Sequence, residues 1–252
     1  MHATSGLYML TVTASMMGKA ETIHPTLIWD RDTVLLADTG YPGQLPLIRA
    51  ELEKSGVALG RLNKIVITHQ DLDHLGTLPA LLSELPRGQA EVLATAAERP
   101  YIQGEKQLIK ITPEAVDLAA ASLPPEVPDE WRAAFRRTLE HPPSAPVDAV
   151  IEPGMVLPYC GGISVIGTPG HTPGHISLYH RPTKTLIAAD ALIVEDGRLF
   201  GPDPRHCVDP QLAYRSIQAL TAYDIEAVIC YHGGIYNLNV NERIQELADL
   251  RP

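Results

Sequence analysis

Thr68-His69-Gln70-Asp71-Leu72-Asp73-His74 follows the apolar run Ile65-Val66-Ile67 and precedes Leu75-Gly76. Four side chains able to bind metal fall within six residues, spaced H-x-D-x-D-H. Imidazole nitrogens and carboxylate oxygens are ligands that Zn²⁺, Mn²⁺ and Fe²⁺ accept. A strand that breaks into a short loop lets alternate residues converge on one point. The stretch therefore reads as the first half of a metal site, and the rest of the chain as the scaffold that completes it.

The bulk properties set the frame. The 252 residues are 45% hydrophobic and 20% charged, as in an ordinary globular protein large enough to bury one substantial core. A formal net charge of −10, with no basic run, argues against nucleic acid or an anionic membrane as partner. Cys160, Cys207 and Cys230 are too few and too scattered for a disulfide framework and read as small side chains in a reducing compartment. The N-terminus lacks a basic segment followed by a signal-length apolar run, and no apolar stretch approaches a membrane span. These features predict a cytoplasmic protein.

Outward from the motif the chain alternates short strands with helices. Residues 7–13 alternate as a strand, and 23–30 and 33–37 read as a hairpin ending in Asp38-Thr39-Gly40. Residues 44–55 carry a helical face of Leu45, Ile48 and Leu52, with Leu47 at its margin, closed by Gly56. Lys64 to Thr68 and Glu91 to Thr95 are short apolar strands, with a helical turn or two from Pro79 to Leu85. Residues 96–146 hold eight prolines and two helical patterns, 112–122 and 129–139, and read as an insertion or lid, or else as an exposed spacer. Strands at 147–151, 155–159, 163–168, 176–180 and 184–189 follow. A loop from Glu195 to Asp209 leads to a helix over 210–223 that starts on Pro210. A strand over 226–231 and a helix over 240–250 complete a single domain, 1–252. Strands in runs with helices after some of them suggest layered sheets covered by helices.

Three further candidates close apolar strands: His171 in Thr168-Pro169-Gly170-His171-Thr172-Pro173-Gly174-His175, Asp190 after Ala188-Ala189, and His232 after Cys230-Tyr231. A lone His at a strand end is more often a surface residue than a ligand, and a lone Asp there is usually a turn former. The three gain weight jointly, because each ends a strand and each follows the motif in order.

This ordered set resembles the metallo-β-lactamase superfamily, whose signature is H-x-[HED]-x-D-H followed by separate His, Asp and His ligands. The resemblance spans about residues 7 to 234. It implies a four-layer αββα sandwich, an α/β fold of two mixed sheets flanked by helices, with a dinuclear centre at one sheet edge. By that resemblance His69, Asp71 and His171 hold one metal, Asp73, His74 and His232 the other, and Asp190 bridges them. Asp38 matches the superfamily's Asp-Thr-Gly turn and would orient a ligand histidine, and His175 would support the site from behind. Asp71 stands where many members have His. The harder carboxylate shifts preference from zinc, otherwise the expected metal, toward manganese or iron.

The resemblance implies a metal-dependent hydrolase in which a hydroxide bridging two metals attacks a carbonyl. Asp73 would bind metal and handle a proton, and Tyr231 or Tyr101 would donate to the oxyanion. The implied substrate is a small ester, a lactone, acyl-homoserine lactones among them, or a thioester. About 20 residues follow His232, too few for the C-terminal domain that holds glutathione in glyoxalase II-like enzymes. Lactonases of this plan commonly carry Tyr three residues after the bridging Asp, where this chain has Ile193. Two other classes compete: a mononuclear iron enzyme of the persulfide dioxygenase type, using His69, His171 and Asp190, and a non-catalytic metal-binding protein. A monomer and a homodimer fit the sequence equally.

Overall fold

The structure, a computed structural model, describes residues 5–16 and 19–250. Two six-stranded mixed sheets form its centre. The first runs, in spatial order, Gly6–Met9, Thr26–Trp29, Val34–Ala37, Lys64–Val66, Glu91–Ala94 and Ala149–Val150. The second runs Gly234–Tyr236, Ala227–Cys230, Thr185–Ala189, Ile176–His180, Ile163–Gly167 and Val156–Leu157.

The central strands are apolar on both faces, and period-two alternation sorts their side chains into separate layers. Leu35 and Ala37 meet Ile163, Val165 and Ile187 in the cluster between the sheets. Their neighbours Val34 and Leu36 point the other way, onto Ile48 and Leu52 of helix Leu45–Ser55 and Leu78 and Leu81 of helix Leu78–Ser83. On the far side, Leu186 and Ala188 pack on Ile217, Leu220, Ile244 and Leu247. Burying each such Leu or Ile contributes about 1.5–3 kcal/mol. With apolar residues on both faces of both sheets, helices must cover each outer face, which gives the αββα order.

Several elements differ from the sequence reading. Residues 7–13 do not form one strand. Gly6–Met9 joins the first sheet, whereas Val12–Met16 pairs with Lys19–Ile23 in a separate ribbon. Helix 210–223 is α-helical only over Pro210–Ser216 and tightens into a 3₁₀ turn, Ile217–Ala222. The loop from Glu195 contains a hairpin, Ile193–Glu195 against Arg198–Phe200. Leu47 is exposed, off the buried helical face. In the 96–146 segment, helices Pro113–Ala121 and Asp129–Glu140 fall where the pattern put them, joined by a shorter one, Arg99–Ile102. Cys160 and Cys230 are buried, Cys207 is half-buried, and all three are free. Among the described residues, no helix is long and apolar enough to cross a membrane.

Candidate metal centre

The strands of both sheets deliver their ends to one edge, and the site is made of the residues just beyond those ends. After Lys64–Val66 the chain passes His69 and turns into a single helical turn, Leu72–Leu75, with Asp71 as its N-cap residue. That turn brings Asp73 and His74 back beside His69, whose ring lies 3.9 Å from the His74 ring. Gly76 closes it because a Cβ there would lie 2.3 Å from Pro42 and 2.4 Å from the Leu72 carbonyl. Asp190 follows Ala189, which holds a left-handed φ of 48°, strain of the kind found at sites that aim a side chain.

Seven side chains converge in two quartets that share Asp190. In the first, His171 Nε2 is 2.9 Å from Asp71 Oδ2 and 3.2 Å from Asp190 Oδ2, and His69 Nε2 is 3.3 Å from Asp71 Oδ2. In the second, His232 Nε2 is 3.2 Å from Asp73 Oδ2, and His74 Nε2 is 3.3 Å from Asp190 Oδ1. Within each quartet the candidate ligand atoms all lie within 4.8 Å of one another.

Hydrogen bonds behind the site fix the imidazole tautomers. Asp38, itself at a left-handed φ of 63°, accepts from Thr68 N and Thr68 Oγ1, each at 2.8 Å. It also accepts from His74 Nδ1 at 2.9 Å, which leaves the His74 Nε2 lone pair facing the centre. His69 Nδ1 donates to Thr68 Oγ1 at 3.1 Å, with the same consequence. His175 lies outside both quartets. Its Nε2 accepts the Asp190 N–H at 3.1 Å and its Nδ1 contacts Thr168 Oγ1 at 2.8 Å, so it positions Asp190 by the backbone.

The donor set fits divalent cations. His69 Nε2, His74 Nε2 and Asp190 Oδ1 are buried without any hydrogen-bond partner, a costly arrangement unless a cation takes their lone pairs. The protonation equilibria point the same way. Burial opposes ionisation of Asp71, Asp73 and Asp190, but the facing imidazoles outweigh it and hold all three below the usual carboxylate range.

Tyr231 does not stand where the sequence reading put it. Its hydroxyl donates to the Asp73 carbonyl at 2.6 Å and accepts the Gly40 N–H at 3.1 Å, and its buried ring stacks 3.8 Å from that of His74. With both bonds made to backbone, the phenol braces the motif loop and has no free proton for an oxyanion. Tyr231→Phe should lower stability by about 1–3 kcal/mol through the buried Gly40 N–H and Asp73 carbonyl left unpaired. The check is urea denaturation beside kcat at saturating substrate; a kcat loss without destabilisation would restore the phenol to catalysis. Tyr101, the other candidate donor, packs against the first sheet's outer core, away from the cavity lining.

The cavity above the quartets has a volume of about 360 Å³. Asp71, Asp73, His171, Asp190 and His232 reach into it, joined by Ile193 and by residues the sequence reading missed. Tyr41 donates from its hydroxyl to Glu21 at 2.9 Å. Lys110, from the 96–146 segment, donates to Asp71 Oδ2 at 2.5 Å and to His171 Nε2 at 2.8 Å. Behind them the fully buried Glu98 accepts from Gln70 N, Gln70 Nε2, Thr172 Oγ1 and Gly174 N at 2.6–3.0 Å. It thereby ties the motif loop to the loop bearing His171. Neither Glu98 nor Lys110 lies in a recognisable motif.

Comparison with known proteins agrees with this architecture. A profile of the Metallo-beta-lactamase superfamily matches residues 20–232. The chain is 29% identical over 227 residues to the probable metallo-hydrolase YflN of Bacillus subtilis (strain 168), covering 85% of this chain and 81% of that one. A hydroxyacylglutathione hydrolase of Mesorhizobium japonicum is 41% identical over 96 residues, 36% of this chain and 34% of its own length. Among solved structures, a metallo-beta-lactamase family protein from Thermus thermophilus superposes with a TM-score of 0.65 at 24% identity, over 96% of this chain and 78% of that one.

Proposed function

The chain belongs to the metallo-beta-lactamase superfamily and is a metal-dependent hydrolase, and from that premise we propose that it cleaves the carbonyl of a small ester, lactone or thioester. The observation that carries this reading is the cavity. At about 360 Å³ it lies at the small end of ligand pockets, and both quartets open into it. Glu21, Glu195 and Asp203 also line it, an acidic surround that disfavours polyanions such as nucleic acid. The relative with a thioesterase name, although matched over a third of its length, keeps thioesters in the set.

His69, Asp71 and His171 would hold one divalent ion and Asp73, His74 and His232 the other, with Asp190 shared. Zinc is the first expectation, with manganese or iron favoured to the extent that Asp71 hardens the first quartet. When bound, the ions supply Lewis acidity and an activated water. The chain does the rest. Asp38 and Thr68 hold the His74 and His69 rings in the tautomers that present Nε2. The Asp73 carboxylate, which lines the cavity and stays ionised, takes up the proton lost by the attacking water and delivers it to the leaving alkoxide or thiolate. Tyr41 lines the cavity with its phenol kept protonated, because burial and the nearby Asp73 charge raise its pKa, and its one hydroxyl proton is held by Glu21 at 2.9 Å.

The second quartet argues against a mononuclear oxygenase, which would have no use for the buried and unpartnered His74 Nε2. The free cysteines support a reducing, cytoplasmic setting. We read residues 96–146 as a lid within a single domain, because Lys110 from that segment enters the cavity. The test is a panel of γ-lactones, acyl-homoserine lactones, S-acyl thioesters, aryl esters and phosphodiesters, assayed with zinc and with manganese. Turnover of a carbonyl substrate that stops on chelation is expected. Turnover of phosphodiesters alone, or oxygen consumption with iron and no hydrolysis, would overturn the proposal.

A further inference from the structure

We propose that Lys110 is a built-in cation of the first quartet, so that a metal can enter there only by displacing its ammonium, whereas the second quartet takes metal without a competitor. The inference rests on the two-metal reading above and concerns how the two positions differ. Lys110 Nζ donates to Asp71 Oδ2 at 2.5 Å and to His171 Nε2 at 2.8 Å, two of the four ligand atoms of that quartet. A neutral imidazole nitrogen has a single lone pair, so the Nε2 that accepts from Lys110 cannot at the same time bind a metal. A metal about 2.0–2.2 Å from Asp71 Oδ2 would also meet the ammonium charge at close range. No lysine or arginine forms an ion pair with Asp73 or Asp190 among the described residues, and His74 Nε2 and Asp190 Oδ1 of the second quartet are both orphaned.

The lysine is held at this post. The neighbouring Ile109 N–H donates to Gln70 Oε1 at 2.8 Å, and Gln70 Nε2 donates to the buried Glu98 at 2.9 Å. Gln70 lies between His69 and Asp71, so the segment carrying Lys110 is pinned to the metal motif itself. Its side chain is 26% exposed and lines the cavity, which leaves the ammonium room to withdraw once displaced. The first position therefore fills late and exchanges readily, and the state with one metal and one ammonium is a defined form of the enzyme.

Competition titration of stripped protein with zinc, against a chromophoric chelator, tests this without reference to activity. Wild type should take up one ion tightly and a second more weakly. Lys110→Met should tighten the second step on the order of tenfold to a hundredfold and leave the first unchanged. Lys110→Gln, which also removes the charge, should move the same step in the same direction, and circular dichroism would confirm that both variants fold. Two unchanged steps in both variants would overturn the role of Lys110 while leaving the two-metal reading intact. Wild type that binds no zinc would overturn the two-metal reading, and this inference with it.

Discussion

Replacing Asp190 with alanine should abolish hydrolysis and cut metal capacity in the same stroke. It is the one carboxylate common to both quartets, with Oδ2 3.2 Å from His171 Nε2 and Oδ1 3.3 Å from His74 Nε2. Loss of residues that merely support a ligand costs about 10- to 100-fold, so loss of a shared ligand should lower kcat/KM by more than about 100-fold. The fold should survive, because the contact that seats this residue is the His175 bond to its backbone N–H, which the substitution keeps. Metal uptake and kcat/KM are to be measured on one preparation. Retention of two ions with near-normal turnover would remove Asp190 from the centre.

Glu98→Ala should be the most destabilising single change near the site. The fully buried carboxylate is the common acceptor for four donors from the motif loop and the His171 loop. Each buried donor left unpaired costs about 1–3 kcal/mol. The Gln70 and Thr172 side chains can re-pair, but the Gln70 and Gly174 backbone groups cannot, so a net loss of about 3 kcal/mol or more is expected. For a chain of this length that lowers Tm by roughly 6–12 °C. The effect should reach the metals as well, since His69 and His171 sit on the two loops that Glu98 joins. A Tm within a degree or two of wild type would mean the two loops hold together without it.

The residues that converge at the site were legible because they share one local signature: a metal-capable side chain directly after an apolar strand. His69, Asp71, Asp73 and His74 are close enough in sequence to announce themselves, and His171, Asp190 and His232 follow from strand ends that any layered fold brings to one edge. Glu98 and Lys110 carry no such mark. Their partners lie 28 to 76 positions away for Glu98 and 39 and 61 for Lys110, so nothing local distinguishes them from surface charges in a proline-rich segment. The orientation of Tyr231 is legible in its neighbour. Successive residues of an extended chain point to opposite sides, so a His232 facing the cavity predicts a Tyr231 turned into the core. The break between Gly6–Met9 and Val12–Met16 was hidden for a different reason. Both pieces are extended and alternate alike, and only their partners, Thr26–Trp29 and Lys19–Ile23, separate them.

The central claim is that seven side chains make two metal positions sharing Asp190. Anomalous diffraction at the zinc edge, from crystals soaked in excess zinc, tests it most directly. Two peaks are predicted, one among His69, Asp71, His171 and Asp190 and one among Asp73, His74, Asp190 and His232. Peaks elsewhere, or no peak within either quartet, would contradict it.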